Sequence, residues 1–375
     1  MFPAKSLLAL LALAVSFAGT VANPVPVPAH AALPFTRRLN LITFADIVKA
    51  DQARAQAMKA SSGAHKRAEG SVLVTNTVVS YTAEVGIGRP PTNYKLIVDT
   101  GSSNTWIGAN KEYVKTGTSK STGNTVSVAY GSGSFSGTEY IDIVDLGGLT
   151  IFNQSIGVAS SATGFTNVDG ILGVGPTDLT HETVSNENTV PTVLDNLYTQ
   201  GVISIETLAD LESETNGELT FGGTDRTRFT GEITYVPITS TSPASSYWGI
   251  DAAINYVPAG APEIPILSET AGIVDTGSTL VLIATNAFNA YQKAVGATLD
   301  SATGLLRLTP EQFGNLRDLS VVVGGTAHTM TPNAQIFSRS LNSVFGGSAE
   351  YVYLVFGDVS AAPLLGFVLR LKDED

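Results

Sequence analysis

The sequence Leu96-Ile97-Val98-Asp99-Thr100-Gly101-Ser102 returns in the second half of the chain as Ala271-Gly272-Ile273-Val274-Asp275-Thr276-Gly277-Ser278. Each copy is an apolar run, typical of a buried strand, that brings one aspartate into a Thr-Gly-Ser turn. A carboxylate at the end of a buried strand is costly to desolvate unless hydrogen bonds or chemistry compensate. If Asp99 and Asp275 meet in space, they cannot both ionise easily and they share one proton. The repeat therefore predicts one site that contains both an acid and a base.

Length and composition indicate two lobes built from short strands. The chain has 375 residues, of which 43% are hydrophobic and only 14% are charged, and length in this range fits two domains. It has no cysteine, which excludes disulfides, thiol catalysis and cysteine metal sites. Beyond residue 67 only His181 and His328 remain, which disfavours a zinc hydrolase or a histidine-based triad. We expect neither a cofactor nor a metal.

The first residues have the features of a secretory signal. Lys5 precedes the apolar run of residues 7–17, which is short for a membrane span, and proline-rich sequence follows it directly. A membrane anchor is the disfavoured alternative. We therefore assign residues 1–22 to a signal peptide and expect a secreted, extracellular monomer with no membrane attachment once the signal is removed.

Residues 23–67 are predicted to be a propeptide. They contain an amphipathic helical pattern around residues 44–60 and end in the dibasic pair Lys66-Arg67. Residues 1–67 carry eight basic and two acidic residues, whereas the remainder carries thirteen basic and thirty-one acidic ones. Opposite charges favour docking of the propeptide on the body, and acid would weaken that docking by protonating carboxylates. The negative body also argues against a nucleic-acid partner.

The body from residue 72 onward is predicted to be mainly β. Short β-branched and aromatic runs, broken by Gly, Asn and Ser, indicate antiparallel hairpins. The predicted strands include residues 78–87, 125–130, 139–144, 218–221 and 232–236, and the predicted helices are 192–198, 285–295 and 310–316. A linker at residues 241–245 divides the N-terminal β-lobe, 68–243, from the C-terminal β-lobe, 244–375. Asn153-Gln154-Ser155 is the only sequon for N-glycosylation.

Four motifs in order resemble those of the pepsin-like aspartic proteases, and most closely the cysteine-free fungal group of polyporopepsin. They are D-T-G-S-S-N-T-W at 99–106, Y-G-S-G-S-F-S-G at 130–137, D-G-I-L-G at 169–173 and D-T-G-S-T-L at 275–280. One D-T-G is a weak signal, but two in this context are specific. The resemblance implies a bilobal, mainly β acid protease fold, with two pseudo-twofold-related β-lobes and a central cleft. It also implies an aspartic endopeptidase that is made as a zymogen and cleaves polypeptides at acid pH.

The same resemblance implies roles for residues of both aspartate loops. Asp99 and Asp275 together activate a water molecule and protonate the peptide carbonyl. The glycines allow a tight turn and a close approach of the substrate backbone. The threonines cross-link the loops, and the serines bond the carboxylates. The supporting residues are Thr100, Gly101, Ser102, Thr276, Gly277 and Ser278.

Further roles fall on a flap over the cleft. Tyr130, Gly131 and Ser132 match the flap hairpin, which excludes water when it closes. The resemblance implies that the Tyr130 hydroxyl bonds the Trp106 indole and that Ile171 lines the S1 pocket. For both Trp106 and Ile171, ordinary packing in the core is the alternative.

Two segments depart from the family pattern. Residues 207–213 are short and acidic where the family has an apolar strand, so we expect that strand to be lost or replaced. Leu364-Leu365-Gly366 stands in for a second apolar-apolar-Gly motif, but little sequence follows to build the last strands. We therefore expect a C-lobe truncated or altered at its end, with unpaired backbone and exposed apolar surface.

The altered end supports an alternative function, that of a catalytically impaired pepsin-like protein that binds peptides. A third reading, a β-rich glycosidase or carbohydrate-binding protein, is disfavoured because two carboxylates in that chemistry need no symmetric D-T-G pair.

Overall fold

The computed structural model describes residues 31–39, 43–60, 79–130, 133–211, 216–224, 231–359 and 367–369. Several predicted features lie outside these residues: the signal peptide at 1–22, Lys66-Arg67, Gly131, Ser132 and Leu364-Leu365-Gly366. None of the helices in the described part of the chain is long and apolar enough to cross a membrane.

A ten-stranded sheet forms the first half of the molecule. Its strands run in the order β5-β6-β7-β4-β8-β3-β2-β1-β10-β9. They are β1 (Ala31–Leu39), β2 (Val79–Ile87), β3 (Thr92–Asp99), β4 (Trp106–Ile107), β5 (Lys120–Tyr130), β6 (Gly133–Leu146), β7 (Leu149–Thr163), β8 (Gly170–Gly173), β9 (Leu208–Leu211) and β10 (Asn216–Phe221).

A seven-stranded and a three-stranded sheet form the second half. The larger sheet has the order β17-β16-β11-β12-β20-β13-β19 and the smaller one the order β14-β15-β18. The strands are β11 (Gly249–Tyr256), β12 (Ile264–Val274), β13 (Val281–Ile283), β14 (Thr298–Leu299), β15 (Leu306–Leu308), β16 (Leu319–Val323), β17 (Thr326–Met330), β18 (Val352–Tyr353), β19 (Phe356–Asp358) and β20 (Phe367–Leu369).

The described part of the chain contains four α-helices, and their bounds agree closely with the sequence pattern. They are α1 (Phe44–Ala60), α2 (Val193–Thr199), α3 (Thr285–Val295) and α4 (Pro310–Gly314). Thr192 and Thr309 begin α2 and α4 with capping boxes, in which the threonine and the third helical residue bond each other's backbone N–H. Gly296 ends α3 in the left-handed conformation, with φ 69°.

The same strand crossing supports both aspartates. In the first half β3 lies parallel to β8, which pairs antiparallel with β4. In the second half β12 lies parallel to β20, which pairs antiparallel with β13. Asp99 is the last residue of β3 and Asp275 directly follows β12. Because both strands run through the middle of their sheets, the two carboxylates emerge from buried backbone.

Helix α1 packs against the second half through an aromatic cluster. Phe44 is fully buried, and its ring centroid lies 5.1 Å from Phe337, 5.3 Å from Phe345 and 5.1 Å from Tyr353. At the other end of the helix, the Tyr247 hydroxyl donates to the carbonyl of Met58. The helix is therefore held at both ends, and its middle turns lie over the aspartate loops.

Four segments differ from their sequence pattern. The predicted strand at 232–236 is wrong, because these residues form an irregular segment. Near 207–213, where we expected the family's strand to be lost or replaced, a short strand is present as β9, which pairs with β10. At the C-terminal end β20 lies between β12 and β13. It pairs with both strands, so their backbone is not left unpaired there. The segment predicted as a linker contains the fully buried Ala244 and a short 3-10 helix.

Candidate active site

The first loop surrounds Asp99 with short hydrogen bonds. The side chain is 1% exposed. Its Oδ1 accepts from the backbone N–H of Gly101 at 3.1 Å, and its Oδ2 accepts from the Ser102 hydroxyl at 2.5 Å. These two hydrogen bonds offset part of the cost of burying the Asp99 carboxyl group.

The second loop repeats this arrangement. Asp275 is fully buried. Its Oδ1 accepts from the backbone N–H of Gly277 at 3.1 Å, and its Oδ2 accepts from the Ser278 hydroxyl at 2.6 Å. The sequence repeat is thus a repeat of geometry, atom for atom, around each carboxylate.

The two threonines join the loops across the approximate twofold axis. Thr100 Oγ1 accepts from the backbone N–H of Thr276 at 2.9 Å, and Thr276 Oγ1 accepts from the backbone N–H of Thr100 at 3.2 Å. Each hydroxyl also donates to a carbonyl of the opposite strand, Val274 for Thr100 and Val98 for Thr276, at 3.3 Å. Four hydrogen bonds, three of them buried and one partly buried, therefore fix the distance between the loops.

Each glycine lies against the carboxylate of the opposite loop. A Cβ added to Gly101 would come within 2.5 Å of Asp275 Oδ1, and one added to Gly277 within 2.8 Å of Asp99 Oδ1. Both contacts are shorter than any real side chain tolerates. Glycine, which has no Cβ, therefore allows each loop to lie directly against the carboxylate of the other loop.

Arg54 of helix α1 fills the space between the carboxylates. Its Nη2 donates to Asp99 Oδ1 at 2.5 Å and to Asp275 Oδ1 at 2.8 Å, and its Nε donates to Asp275 Oδ2 at 2.6 Å. The Arg54 residue is only 7% exposed. One guanidinium therefore bonds both aspartates in a buried triad.

Two members of this triad, Asp275 and Arg54, have shifted pKa values. Burial alone would raise the pKa of Asp275, but the charge and hydrogen bonds of Arg54, together with Ser278 and Gly277, hold that pKa below its ordinary value. Burial alone would lower the pKa of Arg54, but the two aspartates hold it above its ordinary value. Both carboxylates are therefore paired with a permanent positive charge.

Asp51, an acidic side chain of α1, lies one turn before Arg54 and hydrogen-bonds the second loop. Its Oδ2 accepts from the backbone N–H groups of Thr279 at 2.8 Å and Leu280 at 2.6 Å. Its Oδ1 is buried and has no hydrogen-bond partner among the described residues. Burial raises the pKa of Asp51 to about 7, with a smaller contribution from Asp275, against the lowering effect of the two N–H donors and Arg54.

Tyr130, which the sequence predicts to lie on a flap, is held by an aromatic cluster of the first half. The Trp106 indole Nε1 donates to the Tyr130 hydroxyl at 2.9 Å. The Trp106 ring is fully buried and stacks on Phe135 with centroids 4.2 Å apart. Phe165 contacts it edge-on at 4.8 Å. Tyr130 is the last residue of β5, so this aromatic cluster sets where the strand ends.

Ile171 lies behind the cleft rather than in the open. It is 3% exposed and belongs to the same apolar cluster as Trp106, Phe135 and Phe165. The site therefore brings together the two aspartates, their supporting residues, Tyr130 and Trp106, with Ile171 packed beneath them.

Sequence reasoning predicted a docked cationic helix but missed which residues enter the site. Arg54 and Asp51 are three positions apart, so they lie on one face of α1. This three-residue spacing of two charged residues, within a helix of mostly apolar and small residues, was the one sequence feature that could have identified them. Charge composition identifies the sign of a docking surface, but it does not identify the side chain that reaches the bottom of a cleft.

Comparisons with known proteins agree on one family. Residues 80–360 match the family model described as eukaryotic aspartyl protease. Polyporopepsin from Irpex lacteus is 58% identical over 302 residues, which cover 78% of this chain and 88% of polyporopepsin. Cathepsin E-B from Xenopus laevis is 30% identical over 281 residues, which cover 69% of this chain and 67% of that protein.

The fold gives the same result. The crystal structure of aspartic proteinase from Irpex lacteus matches with a TM-score of 0.75 and 49% identity. The match covers 92% of this chain and 91% of that one. Two β-lobes, a repeated aspartate loop and the strand crossing beneath each loop therefore have a solved counterpart.

Proposed function

The chain belongs to the eukaryotic aspartyl protease family and is an aspartic endopeptidase, and we propose that it is secreted as a zymogen and cleaves polypeptides at acid pH. Asp99 and Asp275 form the catalytic dyad in this proposal, and residues 23–67 form the propeptide. The single observation that carries it is the position of Arg54, whose Nη2 contacts one oxygen of each aspartate.

Peptide hydrolysis follows from a shared proton once Arg54 has left. Two carboxylates this close cannot both ionise easily, so the pair binds one proton. The charged member takes a proton from a water molecule, and the protonated member gives its proton to the peptide carbonyl oxygen. Water oxygen attacks the carbonyl carbon, and a tetrahedral diol forms without a covalent enzyme intermediate.

Breakdown of the diol uses the same two groups in reverse roles. The carboxyl that accepted the water proton now donates a proton to the leaving nitrogen, and the other carboxylate accepts one from a diol hydroxyl. The C–N bond breaks and the dyad returns to its starting state with one proton. Ser102 and Ser278 stabilise whichever carboxylate is charged, so the loops support both halves of the cycle.

The supporting residues hold the geometry that this exchange needs. The Thr100–Thr276 bonds fix the loops, and Gly101 and Gly277 leave room for a substrate backbone. Tyr130 lies at the tip of β5, where closure of the flap excludes water from the bound peptide. The Trp106 bond to its hydroxyl orients the tyrosine ring.

Latency follows from the charge of Arg54. A guanidinium remains protonated at every physiological pH. It lowers the pKa of Asp275 and so disfavours the proton that the two carboxylates would share. It also fills the position between the carboxylates that the attacking water needs. The docked chain therefore lacks both the acid and the nucleophile of the reaction.

Acid releases this block. The pKa of Asp275 is lowered in the docked form, so docking draws stability from the charged carboxylate at pH values above the carboxyl's pKa in the undocked form. That stability is lost as the pH falls through the lowered pKa. Protonation removes the partner of Arg54, and α1 then leaves the cleft.

The test begins with the full chain in a secretory host. We expect the medium to contain a latent protein that starts near residue 23. On acidification it should convert to a form that begins after Arg67, as measured by intact mass. The acidified sample should cleave denatured globin, and a statine-type inhibitor should block the cleavage.

The outcomes separate the parts of the proposal. Cleavage that resists the inhibitor would contradict the dyad. Full activity of a chain that still carries residues 23–67 at acid pH would contradict the zymogen. Peptide binding without turnover would favour the impaired peptide-binding protein instead.

A further inference from the structure

Strand β7 contains a bulge at the sequon. On the neighbouring β6, Asp142 pairs with Gln154 and Val144 pairs with Ile151, so Phe152 and Asn153 together face the single residue between them. Asn153 has φ 52°, a left-handed conformation that asparagine adopts more readily than most residues. A bulge of this kind interrupts the alternation of a strand and redirects side chains.

The interrupted alternation turns two consecutive side chains to solvent. Ile151 and Gln154 are buried, whereas Phe152 and Asn153 between them are both exposed. Phe152 is 55% exposed, an unusual position for a large apolar ring. In a regular strand one of the two would point into the core.

The bulge is held firmly on both sides of Asn153. The Gln200 side chain, at the end of α2, accepts from the backbone N–H of Phe152 at 3.0 Å and donates to its carbonyl at 2.8 Å. The buried Gln154 amide donates to the carbonyl of Pro191 at 3.1 Å and accepts from Asn196 at 2.9 Å. The Asn153 side chain makes no hydrogen bond to the residues that the structure describes. The fold thus anchors the neighbours and leaves this one amide free.

We propose that Asn153 carries an N-linked glycan and that the glycan's first sugar covers Phe152. Asn153-Gln154-Ser155 has the required pattern with no proline. The face of an aromatic ring is negatively polarised and attracts the C–H groups of a sugar, and the bulge places ring and amide on the same side. The inference goes beyond proteolysis, and it depends on the secretory route of the proposed function.

The transfer balances with a lipid-diphosphate-linked oligosaccharide as donor. Asn153 Nδ2 attacks the anomeric carbon, an N–C bond forms and the C–O bond to the diphosphate breaks. The electron pair leaves with the lipid diphosphate, and the amide nitrogen releases one proton to a base of the transferase. The folded chain has only to accommodate the product. The exposed Asn153 does so, although the Ser155 hydroxyl is engaged with Glu139.

The first experiment locates the modification on the secreted full chain. We expect intact mass to exceed the sequence mass by one oligosaccharide, endoglycosidase to remove the excess, and peptide mapping to place the residual sugar on Asn153. Asn153→Gln and Ser155→Ala should lose the mass, whereas Ser155→Thr should keep it. Asn167→Gln is the matched control, because Asn167 is also exposed with positive φ, at 56°, but lies outside a sequon.

The second experiment tests the cover over Phe152. Enzymatic removal of the glycan should increase binding of an apolar fluorescent dye, and Phe152→Ser should abolish that increase without changing glycan mass. An equal increase in Phe152→Ser would overturn the covering role. A secreted chain with unmodified Asn153 would overturn the site alone. A chain that stays inside the cell would overturn this inference together with the proposed secretion.

Discussion

The loops of Asp99 and Asp275 make matching internal hydrogen bonds, but different parts of the molecule cover them. Tyr130 covers the first loop and is tied to Trp106 of the same half. Helix α1 covers the second loop, where Asp51 bonds two backbone N–H groups and Arg54 makes two of its three contacts. The hydrogen bonds around the two carboxylates are thus symmetric, whereas the parts of the molecule that cover them are not.

The two buried charges of α1 respond oppositely to pH. The pairing of Arg54 with Asp275 weakens as acid protonates that aspartate, whose pKa is lowered in the docked form. Asp51 has its pKa raised to about 7 in the docked form, so its contribution to docking is present at acid pH and is lost as the pH rises through about 7. The cover therefore docks most firmly between these two limits.

The largest effect should come from Arg54→Gln, which removes the ion pairs between helix α1 and the aspartates of both loops. Removal of one partner from a buried ion pair costs about 3–5 kcal/mol. Here this cost weakens the docking of α1 on the aspartate loops. We expect the intact chain to cleave a peptide at weakly acid pH without prior acid treatment. Lys49→Gln is the matched control, since Lys49 is an exposed cation of the same helix. Equal latency in both variants would contradict the role of Arg54.

Asp51→Asn should separate the two pH limits. While the docked form holds one more proton than the free form, docking weakens about tenfold per pH unit. The amide that replaces the Asp51 carboxyl group in the variant does not titrate. The docking equilibrium constant of the variant, relative to that of the wild type, should therefore rise by on the order of 100-fold between about pH 5 and 7. Hydrogen exchange of the α1 amides in the intact chain measures this ratio. Identical pH dependence in the two proteins would remove Asp51 as the alkaline limit.

Thr100→Val and Thr276→Val should test the symmetric part. Each substitution leaves a buried backbone N–H of the other loop without its acceptor, which costs about 1–3 kcal/mol. Because the bonds are reciprocal, the two variants should lower the free energy of unfolding by similar amounts. Denaturant unfolding of the intact chain measures this. A loss confined to one variant would show that the junction is unequal.

Tyr130→Phe should give the smallest effect. It removes only the hydroxyl that bonds Trp106 beside the first loop and leaves helix α1 unchanged. It leaves the buried indole N–H of Trp106 without an acceptor and loosens the flap, so we expect kcat/KM of the activated enzyme to fall about tenfold. Latency of the intact chain should not change. Tyr235→Phe serves as control because Tyr235 is 82% exposed. An unchanged kcat/KM would exclude the flap hydroxyl from substrate binding.

The sequence predicted those features whose cause is local. The apolar runs before Asp99 and Asp275 specify buried strands, and the helical pattern of residues 44–60 agrees with α1 as found. The D-T-G-S repeat predicted a shared site, because four identical residue types at each strand end make identical bonds.

The rest depends on partners distant in the chain. Residues 232–236 have the composition of a strand but form an irregular segment, since strand formation depends on a neighbour's edge as well as on side chains. The acidic segment near 207 forms β9 because β10 offers such an edge. Arg54 could not be assigned to the aspartates, because its reach depends on how α1 packs against Phe337 and Tyr353.

The central claim is that each lobe supplies one half of a single catalytic pair. Its most direct test is the rate of globin cleavage by Asp99→Asn and Asp275→Asn after separate removal of the propeptide, with the exposed Asp178→Asn as control. Both variants should fold normally and lose about 100- to 10,000-fold or more in rate, whereas the control keeps it. Wild-type cleavage by either dyad variant would contradict the account.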